Sequence, residues 1–381
     1  MKILVVSHEF PPIGGGGANA CFFLTREFAR QGHQVSVITA KYMQQKEEEV
    51  TQENVRVYRV NCIRKNKEKS NFVEMFTFLC NAWIQADKLC RNECFDICLT
   101  FFGIPSGPIS LHLKKKYNLP YIVRFGGGDI PGAQKRFKYV YKLLAPEVRR
   151  IWREASGLIA NSEGLKARAQ YFSNEYEIQV IENGVDNQFF QPDDSETQTD
   201  EIKILFVSRL IEGKGLQYLI PQMELIAQDV LEGCGKKVQL VIVGDGPYRK
   251  QLENIVQETH ANQYVSFEGR KNKEEVRNYY KEADIFVLPS LSEGMPNVVL
   301  EAMSSGLPIV MTPCEGSKEL VENNGIISSL ENLSDNLINM CIDENMRRTM
   351  GLASLKRVEE RFQWNGIAER YLSLLEEKAR K

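Results

Sequence analysis

Short runs of aliphatic and β-branched residues alternate with longer stretches whose apolar positions recur at helical spacing. In the first half, strands are expected at Lys2–Ser7, Gln34–Thr39, Val55–Val60, Phe95–Phe101, Pro120–Arg124, Gly157–Asn161 and Ile178–Ile181. Helices are expected between them, notably over Ala18–Gln31, Phe72–Cys90, Ala133–Ala155 and Ser162–Phe172. Such alternation builds βαβ units on a parallel sheet. Turn-rich Asn183-Gly184-Val185-Asp186 and the aperiodic, acidic Gln191–Asp200 then interrupt the pattern, as a linker does. It restarts with strands at Ile202–Val207, Val238–Val243, Tyr264–Phe267, Ile285–Leu288 and Pro308–Met311, and ends in helices from Asp343 on. Two successive α/β halves of Rossmann-like size are the expected architecture, and 381 residues agree with a prior of roughly 150 per domain.

Composition changes this picture little: 43% hydrophobic and 26% charged residues are ordinary for globular chains. No stretch approaches the ~18 apolar residues of a membrane-spanning helix. The N-terminus opens into a strand, so no signal peptide and a cytoplasmic location are expected. Nine cysteines, an odd number in apolar surroundings, argue against a disulfide framework. The spacing of Cys90, Cys94 and Cys98 fits a helix end followed by a strand better than a metal site, and no metal is expected.

Charge is informative only when divided. The net is −2, but the first 190 residues hold 26 basic against 19 acidic side chains and the remainder 22 against 31. One half is thus suited to an anionic partner. The stretch 133–153 concentrates Lys135, Arg136, Lys138, Lys142, Arg149, Arg150 and Arg153 among aromatic and aliphatic residues, with Lys114-Lys115-Lys116 as a candidate extension. A basic amphipathic helix of this type suits an anionic membrane surface or is a solvated face, with Pro146 expected to kink or divide it. Nucleic acid is not expected, because no binding motif accompanies the charge.

The candidate chemistry lies mainly in Pro289–Pro308. Here a buried strand is followed by a turn at Gly294 within Ser292-Glu293-Gly294-Met295, a helix that opens near Pro296, and Gly306, which closes it. Proline at the start and glycine at the end match helix preferences, and a strand feeding a helix N-terminus is where open α/β sheets bind ligands. Glu301 lies about 6 Å along that helix, and its two oxygens can accept both hydroxyls of a ribose diol. In isolation the two glutamates read better as solvated helix-start residues; the twenty-residue context reverses this in favour of a site.

This segment resembles the E-x7-E signature of the retaining glycosyltransferases of family 4, the glycosyl transferases group 1, which have the GT-B fold. The resemblance spans essentially the whole chain. It implies two Rossmann-like domains whose parallel sheets face each other across a cleft: 1–188 binding the acceptor and 189–363 the nucleotide sugar. Helix 364–381 would return to the first domain, and the linker and that return would act as hinges. It implies that Glu293 faces the donor sugar, that Glu301 binds ribose, and that Gly294, Met295, Pro296, Asn297, Val298 and Val299 line phosphate or sugar. Ser208-Arg209-Leu210-Ile211-Glu212-Gly213-Lys214 resembles the family's basic pair, so Arg209 and Lys214 would hold the diphosphate. The physical need is independent, because a departing diphosphate gains negative charge and no D-x-D metal motif occurs in the chain.

Gly15, Gly16 and Gly17, between the first strand and first helix, would approach phosphate or sugar closely, and their phasing is not that of a nicotinamide site. Gly244, Arg270 and Lys271 match positions that line the nucleotide. The chain departs from the family at Gly126, where a His or Arg usually precedes Gly-x-Asp. Arg124 is the nearest cation and is expected at the donor, while Asp129 is expected as a catalytic, acceptor-side group. The resemblance implies metal-independent transfer from a nucleotide diphosphate sugar, UDP-sugar favoured, to a glycan or lipid-linked hydroxyl. It also implies work in cell-surface polysaccharide or lipopolysaccharide assembly, at the inner face of the membrane. A non-catalytic nucleotide-sugar-binding subunit and a GT-B-fold epimerase are the alternatives.

Overall fold

The computed structural model describes residues 1–67, 70–131, 138–192 and 200–380, for 138–140 the backbone alone. The chain divides into two compact units, Met1–Asn183 with Trp364–Lys381, and Gly184–Gln363.

The first unit carries β1 (Lys2–Ser7), β2 (Gln34–Ala40), β3 (Glu48–Val50), β4 (Arg56–Val60), β5 (Ile97–Phe101), β6 (Tyr121–Arg124), β7 (Gly157–Ala160) and β8 (Gln179–Val180). They form a sheet in the order β3-β4-β2-β1-β5-β6-β7-β8, parallel except for the edge pair β3–β4. Its helices are α1 (Gly16–Arg30), α2 (Phe72–Asn92), α3 (Gly103–Tyr117), α4 (Lys138–Glu154) and α5 (Glu163–Phe172). The start of α2 shows how local sequence sets a boundary. Asn71 Oδ1 accepts from the Glu74 amide and Glu74 Oε2 from the Asn71 amide, both at 3.0 Å, closing a capping box.

The second unit carries β9 (Glu201–Val207), β10 (Lys237–Val243), β11 (Val265–Gly269), β12 (Ile285–Leu288), β13 (Ile309–Met311) and β14 (Gly325–Ile327), all parallel, in the order β11-β10-β9-β12-β13-β14. Its helices are α6 (Leu216–Leu219), α7 (Met223–Cys234), α8 (Arg249–Glu258), α9 (Lys273–Glu282), α10 (Asn297–Ser304), α11 (Ser317–Leu320), α12 (Leu333–Ile342) and α13 (Glu344–Arg361). Residues 184–188 belong to this unit because the Val185 amide bonds the Phe362 carbonyl at 2.8 Å and Val185 bridges Gln363.

The last helix, α14 (Trp364–Ala379), packs on α1 of the first unit. Trp364 stacks on Phe23 with ring centroids 5.4 Å apart, and Ile367, Tyr371 and Leu375 are buried with it. An aromatic pair of this kind adds about 0.5–1.5 kcal/mol beyond its burial.

Most expected strands appear within two residues of their anticipated ends, but β3, β14 and α3 were not anticipated. Pro105 and Pro108, which punctuate α3, hid its periodicity. Cys94 lies beyond the end of α2 rather than closing it, and the nine cysteines are free thiols. Of the basic stretch, 133–137 lie outside the described residues, as do 193–199 of the linker. The helix from Lys138 is undivided, with Pro146 inside it. Its inward side is spent on the core through Tyr141, Val148, Ile151 and Trp152, while Lys142, Arg149, Arg150 and Arg153 face solvent.

Candidate functional site

A parallel sheet whose winding reverses leaves a crevice beyond the carboxyl ends of the two strands at the reversal, and ligands bind there. In the second unit the chain winds outward from β9 through β10 to β11, then returns to β12 on the other side of β9. The reversal lies between β9 and β12. The loop after β9 carries Arg209 and Lys214, and the loop after β12 carries Glu293.

These loops are locked together at short range. The Leu291 amide donates to the Gly213 carbonyl at 2.9 Å. Gly215 takes φ +77°, and a Cβ there would stand 1.8 Å from the Pro289 carbonyl oxygen, so no other residue fits. The result is a direct ion pair between Lys214 Nζ and Glu293 Oε1, both largely withdrawn from solvent. Arg209 is half-buried on the same loop, without a side-chain hydrogen bond or ion pair to any described residue.

The Glu293 backbone is held from the far side. Its amide donates to Glu315 Oε2 at 3.1 Å, and its carbonyl accepts from the Glu315 amide at 3.1 Å. Gly316 is glycine for a steric reason, since a Cβ would stand 2.4 Å from the Gly294 carbonyl oxygen. Met295 and Pro296 are buried, and α10 begins at Asn297, with the Val299 amide turned back onto the Pro296 carbonyl at 3.1 Å. Val298 offers its carbonyl to Tyr280, and the Val299 side chain enters the core.

One turn into α10, Glu301 Oε2 lies 3.0 Å from the Tyr280 hydroxyl. Burial pushes the Glu301 carboxyl up to about 7, against the opposing pull of the Tyr280 hydrogen bond and the Lys273 charge. Gly244, at φ +141°, closes onto the Ser208 carbonyl, with a Cβ position 1.9 Å from it, and its amide bonds the Gly269 carbonyl at 2.8 Å. That contact brings Arg270 and Lys271, just past β11, to the same edge of the sheet; the Lys271 ammonium lies 5.6 Å from the Tyr279 ring centre.

In the first unit the structure gathers the glycine loop and the Gly126–Asp129 loop on the Phe102 ring. Gly15 and Gly16 are exposed at the start of α1, and Gly17 packs on the Phe102 ring. Arg124 is 2% exposed. Its guanidinium donates to Asn183 Oδ1 at 2.5 Å and lies 5.1 Å from the Phe101 ring centre. The cation expected at the donor is therefore an interior group of its own unit.

Asp129 is 4% exposed and joins two loops, accepting from the Gly103 amide at 2.7 Å and the Gly126 amide at 2.8 Å. Burial pushes its carboxyl up and the two amides pull it back. It caps α3 instead of presenting a free carboxylate. Gly126 also has a steric explanation: a Cβ there would stand 2.2 Å from the Phe102 ring, which fills the space a His or Arg would need. Tyr280, Glu315 and Phe102 were missed from the sequence. Only Glu315, in a Pro-Cys-Glu-Gly turn after a strand, carried a local signal.

The model of the family described as glycosyl transferases group 1 matches residues 187–357, and that described as glycosyltransferase family 4 matches 14–189. The chain belongs to the GT-B glycosyltransferases of group 1. This glycosyltransferase is 28% identical to an uncharacterized glycosyltransferase of Methanocaldococcus jannaschii over 97% of its own length and 96% of the relative's. Its fold is that of sucrose-phosphate synthase from Thermosynechococcus elongatus, with a TM-score of 0.81 at 22% identity over 99% and 98% of the two chains. Anabaena HepE, crystallised with UDP and glucose, superposes with a TM-score of 0.72 at 19% identity, over 99% of this chain and all of that one. No helix among the described residues of the glycosyltransferase is long and apolar enough to cross a membrane.

Proposed function

We propose that this glycosyltransferase moves a sugar from a nucleotide diphosphate sugar, a UDP-sugar foremost, to a hydroxyl of a glycan or lipid-linked acceptor. The reaction retains anomeric configuration and uses no metal. The observation that carries this reading is the Lys214–Glu293 ion pair at the winding reversal of the second unit. Lys214 and Arg209 supply the positive charge that a leaving diphosphate needs, and such preorganised charge is commonly the largest catalytic term. Glu293, held through its backbone by Glu315, faces the sugar. Glu301 takes the ribose diol, while Gly244, Arg270 and Lys271 border the nucleotide.

The reading assigns the acceptor to the first unit. Attack from the leaving-group face, with the departing phosphate taking the acceptor proton, requires no protein nucleophile. HepE, crystallised with UDP, supports the choice of base. A place in cell-surface polysaccharide or lipopolysaccharide assembly follows from the family resemblance. Contact with an anionic membrane would rest on charge along α4, because its inward apolar residues are already packed.

The experiment is a metal-free thermal-shift panel of UDP-, GDP-, ADP- and dTDP-sugars, followed by nucleotide release with n-octyl glycosides as acceptors. A site-specific ligand at a hundredfold over Kd stabilises by about 2.7 kcal/mol. The expected result is a shift with the UDP-sugars that Lys214→Ala abolishes. Stabilisation by another nucleotide class, or a shift that needs added metal, would overturn the corresponding part.

A further inference from the structure

The first unit has its own winding reversal. Its chain runs from β1 outward through β2 to β4, and then returns to β5 on the other side of β1. The residues leaving those two strands are His8 and Phe102. Phe102 takes a left-handed φ of +68°, rare for an aromatic residue.

The ring so placed is the meeting point of three loops. Cβ atoms at Gly17 and Gly126 would stand 2.6 Å and 2.2 Å from it, so both loops are stripped to glycine where they meet it. The His8 imidazole packs edge-on against the same ring, with centroids 4.6 Å apart. His8 is 6% exposed, and its Nδ1 is buried without a hydrogen-bond partner among the described residues. Its other nitrogen, Nε2, lies 3.7 Å from Glu9 Oε1, an oxygen that also accepts from Arg64 at 3.4 Å. Asp129, the nearby carboxylate, is already committed to backbone amides.

We propose that His8 is a substrate-contacting residue of the transfer reaction, whose Nδ1 accepts a hydrogen bond from a sugar hydroxyl of the acceptor at this reversal point. The proposal rests on the reading above, in which the acceptor occupies the first unit. Three physical arguments carry it. The reversal point is where a sheet of this type holds ligands. A buried polar atom left without a partner costs about 1–3 kcal/mol, a cost that invites a functional explanation. The Glu9 carboxylate favours the proton on Nε2, which leaves the Nδ1 lone pair for a donor. A hydroxyl is the neutral donor that suits this lone pair. Burial and the Arg64 charge hold the imidazole down to about 4, so it is neutral and orients the hydroxyl without taking its proton.

The test compares His8→Leu, which removes the acceptor atom, with His8→Asn, whose amide oxygen can replace Nδ1. Nucleotide release is measured from the donor that shifts the melting point most, with and without a panel of n-octyl glycosides. His8→Leu is expected to lower acceptor kcat/KM at least thirtyfold while acceptor-free donor hydrolysis and Tm stay near wild type. His8→Asn is expected to recover to within about fivefold. Wild-type transfer by His8→Leu, parallel loss of hydrolysis and transfer, or failure of His8→Asn to recover would each overturn the assignment. Absence of acceptor-stimulated release in the wild-type protein would instead overturn the parent reading, and this one with it.

Discussion

The hydroxyl of Tyr280 lies 3.0 Å from Glu301 Oε2 and 3.1 Å from the Val298 carbonyl oxygen. One phenolic proton cannot serve both acceptors. When Glu301 is protonated it can donate to Tyr280, whose own proton then goes to Val298. When Glu301 is ionised it takes the Tyr280 proton, and it becomes able to receive two hydroxyls from a ligand.

Donor affinity is therefore expected to rise with pH. Glu301 titrates at about 7 in the folded protein, above its ordinary 4.5. Its contribution to the stability of the empty protein is fully present below 4.5 and is lost as pH rises through 7. A ribose diol binds the ionised form, so UDP should bind more tightly at pH 8 than at pH 6. Calorimetric titration across that range checks this, with Glu301→Gln expected to bind more weakly and without the pH dependence. A flat wild-type profile would remove Glu301 from the ribose.

Tyr280→Phe keeps the buried ring and deletes the hydroxyl. The expected loss is about 0.5–1.5 kcal/mol of stability. The midpoint of the UDP pH profile should also move upward, because the Tyr280 hydrogen bond favours ionised Glu301. Thermal unfolding and the same titration series report both effects; a downward midpoint would contradict the assignment.

At the ion pair, Lys214→Ala is expected to lower transfer about 100- to 1,000-fold, with Tm little changed. Glu293→Gln should slow transfer while preserving UDP binding, since the diphosphate cations remain. Steady-state nucleotide release and UDP titration separate these outcomes. Wild-type turnover in either variant would sink the role given to that residue.

Gly126→Ala tests whether the missing basic residue is a matter of space. Its Cβ would meet the Phe102 ring at 2.2 Å, so a destabilisation of about 1–3 kcal/mol is expected. Combined with Phe102→Leu, the two changes should be less than additive in a denaturant-unfolding double-mutant cycle. Full additivity would show that the ring does not oppose a side chain at 126.

Much of this protein is written locally. Alternating periods mark the strands and helices, the glycines and Pro296 mark where strands give way to helices, and Lys214 and Glu293 are recognisable as residues of strand-to-helix loops. These are properties of a few neighbouring residues and so survive in a one-dimensional reading. Tertiary structure alone decided the rest. Lys214 and Glu293 are 79 positions apart, and parallel pairing of β9 with β12 brings their loops together. The same is true of Tyr280 with Glu301, and of Glu315 with Glu293. Residue type misled where packing chose the side chain's direction: Arg124 turns inward to Asn183, Asp129 is consumed by two backbone amides, and Phe102 occupies the room beside Gly126. A charge or a glycine in a sequence states what chemistry is available. Which way it faces is fixed by strands and loops distant in the chain, because close packing leaves each side chain few places to go.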